Sequence, residues 1–336
     1  MTNEVVSQVP RTTPIKRIAL LCSGGDSPGM NCAVRAVVRT AVGNNLEVFG
    51  IQKGYAGLLE GNFREMDASS VGNILQHGGT VLQTSRCPDF LEQEIRKEAF
   101  NILKRKKIDA LIVIGGNGSF NGAYALHKEH NLPIVGIPGT IDNDISGTDY
   151  TVGFDTAVQT AVEAVDKIRD TAHSHERTFI VEVMGRRSTA IALHVGVSTG
   201  AENIIFPTKD VDFQELANDI HRGVKRGKHS SIIIVAEGDK PGLSYKIQKH
   251  LMTDHQIIAH VCILGHIQRG GNPTSLDRFI ASKMGFMAVK SLLQNEYPVV
   301  TAFLNGLVEV VPFENCLGKK TEYEKPYQDL VRALSI

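Results

Sequence analysis

Short apolar runs rich in β-branched residues recur along this chain at 17–22, 47–51, 110–114, 133–137, 177–184, 231–236 and 260–264. Between them lie stretches with helical spacing of apolar residues, at 31–42, 92–106, 156–171, 213–226 and 276–294. Several of the runs are apolar nearly throughout, which suits strands covered on both faces, as in a parallel sheet. Strand and helix alternating in this way predict an α/β fold, doubly wound, with right-handed crossovers. At about 150 residues per domain, 336 residues suggest roughly two domains or one large α/β unit.

The loops after the predicted strands narrow the function. They are Ser23-Gly24-Gly25-Asp26-Ser27-Pro28-Gly29, Gly115-Gly116-Asn117-Gly118-Ser119 and Pro138-Gly139-Thr140-Ile141-Asp142-Asn143-Asp144. Then come Met184-Gly185-Arg186-Arg187, Glu237-Gly238 and Gly265-His266-Ile267-Gln268-Arg269-Gly270-Gly271. Open α/β sheets bind ligands at the carboxyl ends of their strands, so these loops are expected to converge on one crevice. Taken singly, each glycine reads equally well as a turn residue. Together, with Arg, His, Asp and Thr in the same loops, they point to a ligand site.

Charge excludes some partners. Lys plus Arg number 36 against 36 Asp plus Glu, so the chain lacks the basic excess of a nucleic-acid or membrane-surface binder. The five Cys (Cys22, Cys32, Cys87, Cys262, Cys316) contain no C-x-x-C pair and read as reduced thiols of a cytoplasmic protein. Residues 1–14 read as a flexible tail, not a signal peptide, and no stretch suits a spanning helix.

The first two Gly-rich loops each lead into a helical pattern, an arrangement whose N–H groups suit phosphate oxygens. Neither fits a P-loop, since no G-x-x-x-x-G-K-[ST] is present, and Asn121 stands where a dinucleotide fingerprint places its third glycine. Asp142 and Asp144, two apart at a strand end beside Thr140, are expected to point to one side of an extended chain. One can accept a proton from a hydroxyl nucleophile while the other holds Mg²⁺; the alternative is an Asx turn. Arg86, Arg177, Arg186, His266 and Arg269 supply positive charge, and the arginine forks match phosphate; alone, each arginine is more often a surface or salt-bridge residue and His266 a packed, hydrogen-bonded histidine. The residues themselves reach Mg²⁺-assisted phosphoryl transfer from a nucleotide to a small phosphorylated alcohol.

From about Lys16 to the C-terminus the sequence resembles the bacterial ATP-dependent 6-phosphofructokinases, through Gly24-Gly25-Asp26-Ser27-Pro28-Gly29-Met30-Asn31, Pro138 to Asp144, Met184-Gly185-Arg186 and Gly265 to Gly271. The resemblance implies two Rossmann-like, doubly wound lobes with the active site in the cleft between them. It implies an ATP-binding lobe of 15–153 plus about 268–318, and a fructose 6-phosphate lobe of 154–267 plus about 319–336. It implies a homotetramer that phosphorylates the 1-hydroxyl of fructose 6-phosphate in glycolysis. On this likeness Asp142 is the base, with Thr140, Arg186 and Asp144 beside the transferring phosphoryl. Gly25, Arg86, Cys87, Gly116, Asn117, Gly118 and Ser119 line the ATP site, and Asn117 and Asp144 serve Mg²⁺. Thr140, Ile141, Asp142, Met184, Gly185, Arg186, Glu237, His266, Ile267, Gln268 and Arg269 hold the sugar phosphate, with Arg177 and His260 at a subunit interface. Gly118 and Gly139 favour ATP, because pyrophosphate-using relatives usually carry Asp and Lys there. Arg35, Arg39, Arg169, Gly200, Ala201, Glu202, Arg226 and Lys228 match an effector site for ADP or phosphoenolpyruvate; Arg35 and Arg39, four apart on one helix face, also fit a solvated basic surface.

Three positions depart from the family pattern. Asn117 replaces the Asp of Gly-Gly-Asp-Gly-Ser and removes a charge from the metal site. His260 replaces the Arg that grips the sugar 6-phosphate across the interface, with a shorter side chain and no fork. Thr189 replaces a glycine four residues beyond Gly185. The expected function is therefore an active ATP-dependent phosphofructokinase with altered metal or sugar affinity. The alternatives are a regulatory phosphofructokinase-like subunit or a kinase with shifted substrate preference.

Overall fold

The computed structural model describes residues 14–175, 177–206, 211–228, 230–239, 242–318, 327, 330, 333 and 334. The expected N-terminal tail, apart from residue 14, and nearly all of 319–336 lie outside the described residues. In chain order the first half contains β1 (Arg17–Ser23), α1 (Met30–Gly43), β2 (Glu47–Ile51), α2 (Gly54–Leu59), β3 (Phe63–Met66) and α3 (Gln93–Arg105). It continues with β4 (Ala110–Gly115), α4 (Asn117–His130), β5 (Ile134–Pro138) and α5 (Phe154–His175). Next are β6 (Thr178–Val183), α6 (Ala190–Thr199), β7 (Asn203–Ile205), α7 (Phe213–Lys225) and β8 (Ser231–Ala236). The chain closes with α8 (Leu243–His255), β9 (Ala259–Ile263), α9 (Ser275–Leu293), β10 (Val299–Leu304) and β11 (Leu307–Pro312).

Among the described residues the strands form two sheets. The larger has the order β11-β10-β5-β4-β1-β2-β3 and the smaller the order β7-β8-β6-β9. In the larger, β2, β1, β4, β5 and β10 run parallel, while β3 and β11 pair antiparallel at the edges. All pairs in the smaller sheet are parallel. From β1 the chain adds β2 on one side and returns to add β4 on the other. The carboxyl ends of β1 and β4 thus flank a topological switch point, where ligands of open α/β sheets bind. β6 plays the same part in the smaller sheet, with β8 and β9 on either side.

The apolar runs are apolar because both faces are covered. Along β1, Ile18, Leu20 and Cys22 join the core under α1 and α9, while Ala19 and Leu21 join the one on the opposite face. In the smaller sheet Val181 and Ile232 pack toward α5 and α6, and Ile180 and Ile233 toward α7 and α8. Full burial of such side chains stabilises by about 1.5–3 kcal/mol each. α7 shows the local logic: Asp212 accepts from Glu215 N at 2.9 Å to cap it, and Leu216, Ala217 and Ile220 form its buried face.

All seven expected strands and five expected helices are present, with ends shifted by no more than a few residues. The structure adds β3, β7, β10, β11, α2, α4, α6 and α8. β10 and β11 form a hairpin through Asn305 and Gly306, at φ 50° and 83°. Two positive φ values are what a type I′ turn requires, and Asn-Gly supplies them at little cost.

Candidate active site

The segment after β5 organises the site. Beyond Pro138, Gly139 bridges to Val152 in parallel register. Thr140 N donates to Val152 O at 3.1 Å, and Thr151 Oγ1 donates to Thr140 O at 2.6 Å. Thr140 Oγ1 in turn accepts from Asp142 N at 3.2 Å. Asn143 then turns the chain at φ 47° and donates Nδ2 to Asp149 O at 3.0 Å. This corrects the expectation of extended chain between Asp142 and Asp144, because strand pairing ends before them and a left-handed residue separates them.

Asp142 is mostly buried, and burial pushes its carboxyl pKa up to about 6. The Asp144 and Glu237 carboxylates act in the same direction, while Arg269 and Arg186 oppose them. Its Oδ1 is buried with no hydrogen-bond partner. Side chains from the carboxyl ends of strands in both sheets therefore meet in one electrostatic field at Asp142. Such a carboxylate is ionised at neutral pH yet more basic than an exposed one, as a proton acceptor should be.

The loop after β4 reaches the same place. Gly116 is the N-cap of α4, so Asn117, Gly118 and Ser119 form its first turn. Asn117 donates Nδ2 to Asp144 Oδ2 at 2.9 Å, which unites the two expected metal residues. A Cβ at Gly118 would meet nothing within 4 Å. Tyr55 donates its hydroxyl to Ser119 O at 2.6 Å and fixes the turn from beneath.

The first glycine loop meets Arg269. That guanidinium donates Nη1 to Asp26 O at 3.0 Å, and a Cβ at Gly25 would sit 2.4 Å from the same nitrogen. Glycine at 25 is required for this approach. On the smaller sheet, Met184 N donates to Gln268 Oε1 at 3.4 Å, and Gln268 Nε2 donates to Gly265 O at 3.1 Å. Gln268 is fully buried, so these bonds hold the 3₁₀ turn Gly265–Arg269 against the end of β6. Arg186 stands exposed at φ 51°, its N–H donating to Glu237 Oε1 at 3.1 Å. Ile141 and Met184 are buried, while His266 and Ile267 are exposed.

Two expected ligand residues lie elsewhere. Arg177 precedes β6 and His260 sits on β9 opposite Phe179, both near the amino ends of their strands. The six residues of β6 separate Arg177 from Met184, or roughly 20 Å at about 3.3 Å per residue. Arg177 is exposed, and His260 lies 5.4 Å from the Phe179 ring with Nε2 buried and unpartnered. Within one chain these two are far from the loops at the carboxyl end. Arg86 is exposed, and burial raises the pKa of its partly buried neighbour Cys87.

Much of the expected effector set gathers beside that amino end. Buried Glu202 accepts from Lys228 Nζ at 2.9 Å and from Ile232 N at 2.5 Å, with Arg169 Nη1 at 4.0 Å. Arg169 Nη2 donates to Thr199 O at 2.6 Å, beside Gly200 and buried Ala201. Arg226 is exposed at the end of α7, whereas Arg35 and Arg39 stand on α1 against the larger sheet. Thr189 is buried ahead of α6 and its carbonyl accepts from Leu193 N at 2.9 Å.

Sequence reasoning alone misses the hydroxyls that register the site. Thr151 holds Thr140, and Ser27 Oγ donates to Val152 O at 2.8 Å. Ser27 lies within the first glycine loop; Thr151 carries no signal beyond its nearness to a strand end. Among the described residues no helix is long and apolar enough to cross a membrane.

The family model described as Phosphofructokinase matches residues 17–292. An ATP-dependent 6-phosphofructokinase of Staphylococcus epidermidis is 47% identical over 326 residues, covering 96% of this chain and 100% of the relative. One of Staphylococcus aureus is 48% identical over 324 residues with the same coverage. The solved phosphofructokinase of Saccharomyces cerevisiae superposes with TM-score 0.84 at 36% identity, over 95% of this chain and 47% of that one. A pyrophosphate-dependent phosphofructokinase from Marinobacter aquaeolei shares the fold, with TM-score 0.83 at 18% identity over 95% of this chain and 91% of its own.

Proposed function

We propose that this chain, which belongs to the phosphofructokinase family, transfers the γ-phosphate of ATP to the 1-hydroxyl of fructose 6-phosphate and yields fructose 1,6-bisphosphate. The observation that carries the reading is Asp142, a mostly buried carboxylate whose pKa burial pushes up to about 6 against the opposing charge of Arg269 and Arg186. Asp142 takes the proton of the 1-hydroxyl as that oxygen bonds to the γ-phosphorus. The bond from the γ-phosphorus to the bridging oxygen breaks, and ADP departs with the electron pair. Arg186 and Arg269 offset charge on the phosphoryl oxygens, the main demand of such a transfer.

The fit for Mg²⁺ rests on one carboxylate, Asp144, with the Asn117 amide bonded to it. Mg²⁺ is commonly held by one or two carboxylates plus substrate phosphates and waters, and the pair suits an ion that arrives on the nucleotide. When bound, the ion supplies neutralisation of charge on the β- and γ-phosphates. Gly118, with open space around it, fits a nucleotide. A Cβ at Gly139 would lie 3.1 Å from Ile114 Cγ2 and Met30 Cε, so a lysine there would need the core to shift.

The larger sheet with α9 is read as the ATP lobe, the smaller as the sugar-phosphate lobe, and the space between their carboxyl-end loops as the cleft. The roughly 20 Å between Arg177 and Met184 favours a homotetramer in which Arg177 and His260 serve a neighbour's sugar phosphate. The Arg169, Glu202 and Lys228 cluster supports a site for ADP or phosphoenolpyruvate, with Arg35 and Arg39 brought by another subunit. Free thiols at Cys22, Cys32, Cys87, Cys262 and Cys316 favour the cytoplasm.

A steady-state assay of the purified chain with fructose 6-phosphate, ATP or pyrophosphate, and varied Mg²⁺ tests the reading. Turnover of about 1–100 per second with ATP is expected. Turnover far below one per second, with ligand binding intact, selects instead a regulatory subunit, the reading that Asn117 and His260 favour. Preference for another sugar phosphate or for pyrophosphate selects a shifted kinase.

A further inference from the structure

We propose that Asp277 is a positioning residue for the loop that carries Asp142, acting from α9 through a helix cap that it supplies to α5. The inference rests on Asp142 being the proton acceptor.

α5 begins after Gly153, whose carbonyl accepts the first helical bond from Ala157 N at 3.1 Å. A glycine at this position has no side chain with which to satisfy the free N–H groups of the first turn. No larger residue fits there, because φ is 104° and a Cβ would lie 2.5 Å from Ser27 Cβ. Asp277, 1% exposed, provides the missing cap from another helix. Its Oδ1 accepts from Gly153 N at 2.7 Å, and its Oδ2 accepts from Thr156 N at 2.8 Å and Thr156 Oγ1 at 2.5 Å. The exchange is reciprocal. Thr274, the N-cap of α9, donates its N–H to Thr156 Oγ1 at 3.0 Å and its hydroxyl to Asp155 Oδ2 at 2.6 Å. Charge-assisted bonds of this kind are stronger than neutral ones, and an anion suits the positive end of α5.

The segment capped in this way is the one that registers the Asp142 loop. Val152 N donates to Pro138 O at 2.8 Å, and Val152 O accepts from Thr140 N at 3.1 Å and Ser27 Oγ at 2.8 Å. Thr151 holds the Thr140 carbonyl, and Thr140 Oγ1 holds the Asp142 N–H. The path from Asp277 to Asp142 thus runs through Gly153, Val152 and Thr140. It also joins the two sheets, since α9 packs on α1 and β5 while α5 packs on α6 and β6. Asp277 acts through these neighbours, with its own oxygens committed to α5.

Asp277→Ala should lower kcat by about 10- to 100-fold, the cost of moving a reacting group by roughly 1 Å, with KM for both substrates changed less than about threefold. Amide hydrogen exchange at Thr140 and Val152 should quicken at least about tenfold while the β1 amides keep their protection. Asp277→Asn keeps an acceptor for Gly153 N and a donor for Thr156 Oγ1 but sets its amide against Thr156 N–H, so it should recover kcat only in part, to a value between Asp277→Ala and the native chain. If Asp277→Ala does not fold, Thr156→Val, which removes the hydroxyl shared by Asp277 and Thr274, carries the same comparison with a smaller drop. An unchanged kcat, or exchange that quickens equally in β1, would mean that Asp277 only supports the fold and would overturn the proposal. Exchange is read without substrate. If the native chain fails to phosphorylate fructose 6-phosphate, the role of Asp142 falls, and exchange at Thr140 still decides whether Asp277 fixes this loop.

Discussion

Asn117 and Asp144 are joined side chain to side chain, Nδ2 to Oδ2 at 2.9 Å. The amide donates a hydrogen bond to an oxygen that a second carboxylate at 117 would repel. Asn117→Asp should therefore destabilise the metal-free protein and deepen its response to Mg²⁺, because two carboxylates at this distance need a cation between them. Thermal melting with EDTA and with Mg²⁺ checks this: the melting temperature of the variant should rise more on adding the ion. The Mg²⁺ concentration for half-maximal rate should fall. Equal metal responses in the two proteins refute the idea.

As the proposed proton acceptor, Asp142 should set the acidic limb of the pH profile. With its pKa pushed up to about 6, kcat/KM should rise with pH through that value and level off above it. The stability effect has the opposite slope. The native state holds this proton more tightly than the unfolded chain, whose pKa is near 3.8, so stability falls as pH rises from about 4 to about 6. Asp142→Asn removes that burden, and should cut kcat by about 10²–10⁴-fold while stabilising the fold at pH 7 by about 1–3 kcal/mol. Urea unfolding at pH 5 and pH 7 measures the second part.

Two glycines should separate the two substrates. Gly25→Ala drives a Cβ into Arg269 and displaces it from Asp26 O, so KM for fructose 6-phosphate should rise about tenfold, in line with loss of one charged hydrogen bond. Gly118→Ala adds a methyl where the protein leaves open space. It should hold or slightly raise the melting temperature, as a strain-free Gly→Ala in a helix does, and raise KM for ATP alone. Initial-rate kinetics with each substrate varied in turn distinguish the two.

Glu202→Ala should cost about 1–3 kcal/mol, chiefly because the buried Ile232 N–H loses its acceptor. Arg169 and Lys228, each partly exposed, add little to that loss in water. Urea denaturation gives the change in stability. Any response of the native rate to ADP or phosphoenolpyruvate should vanish in the same variant.

The interior strands are readable in the sequence because two-sided burial leaves a nearly unbroken apolar run, as in β4 and β8. The edge strands β3 and β11 are solvated on one side and carry charges, Arg64, Glu65 and Glu309, that blur the pattern. α4 begins with Asn117-Gly118-Ser119, residues that read as loop, and α6 is apolar on nearly every side, so neither shows a helical period. In the candidate site, the residues that come together are legible where they sit in short motifs, as with Asp142, Arg186 and Arg269. The bend at Asn143 is not, because it depends on Asp149 O and on strand β5 ending at Pro138. Asp277 is silent for a different reason: after Thr274 it reads as an ordinary member of its own helix's first turn. Only packing turns its carboxylate to α5.

That reciprocal cap has a timetable. Gly153 and Asp277 lie 124 residues apart, so a chain emerging from the ribosome finishes the smaller sheet before α5 receives its first-turn partner. Such a distant closure is entropically late in folding. The segment bearing the proposed proton acceptor should thus be set only after residue 277 has been made, with the smaller sheet already complete.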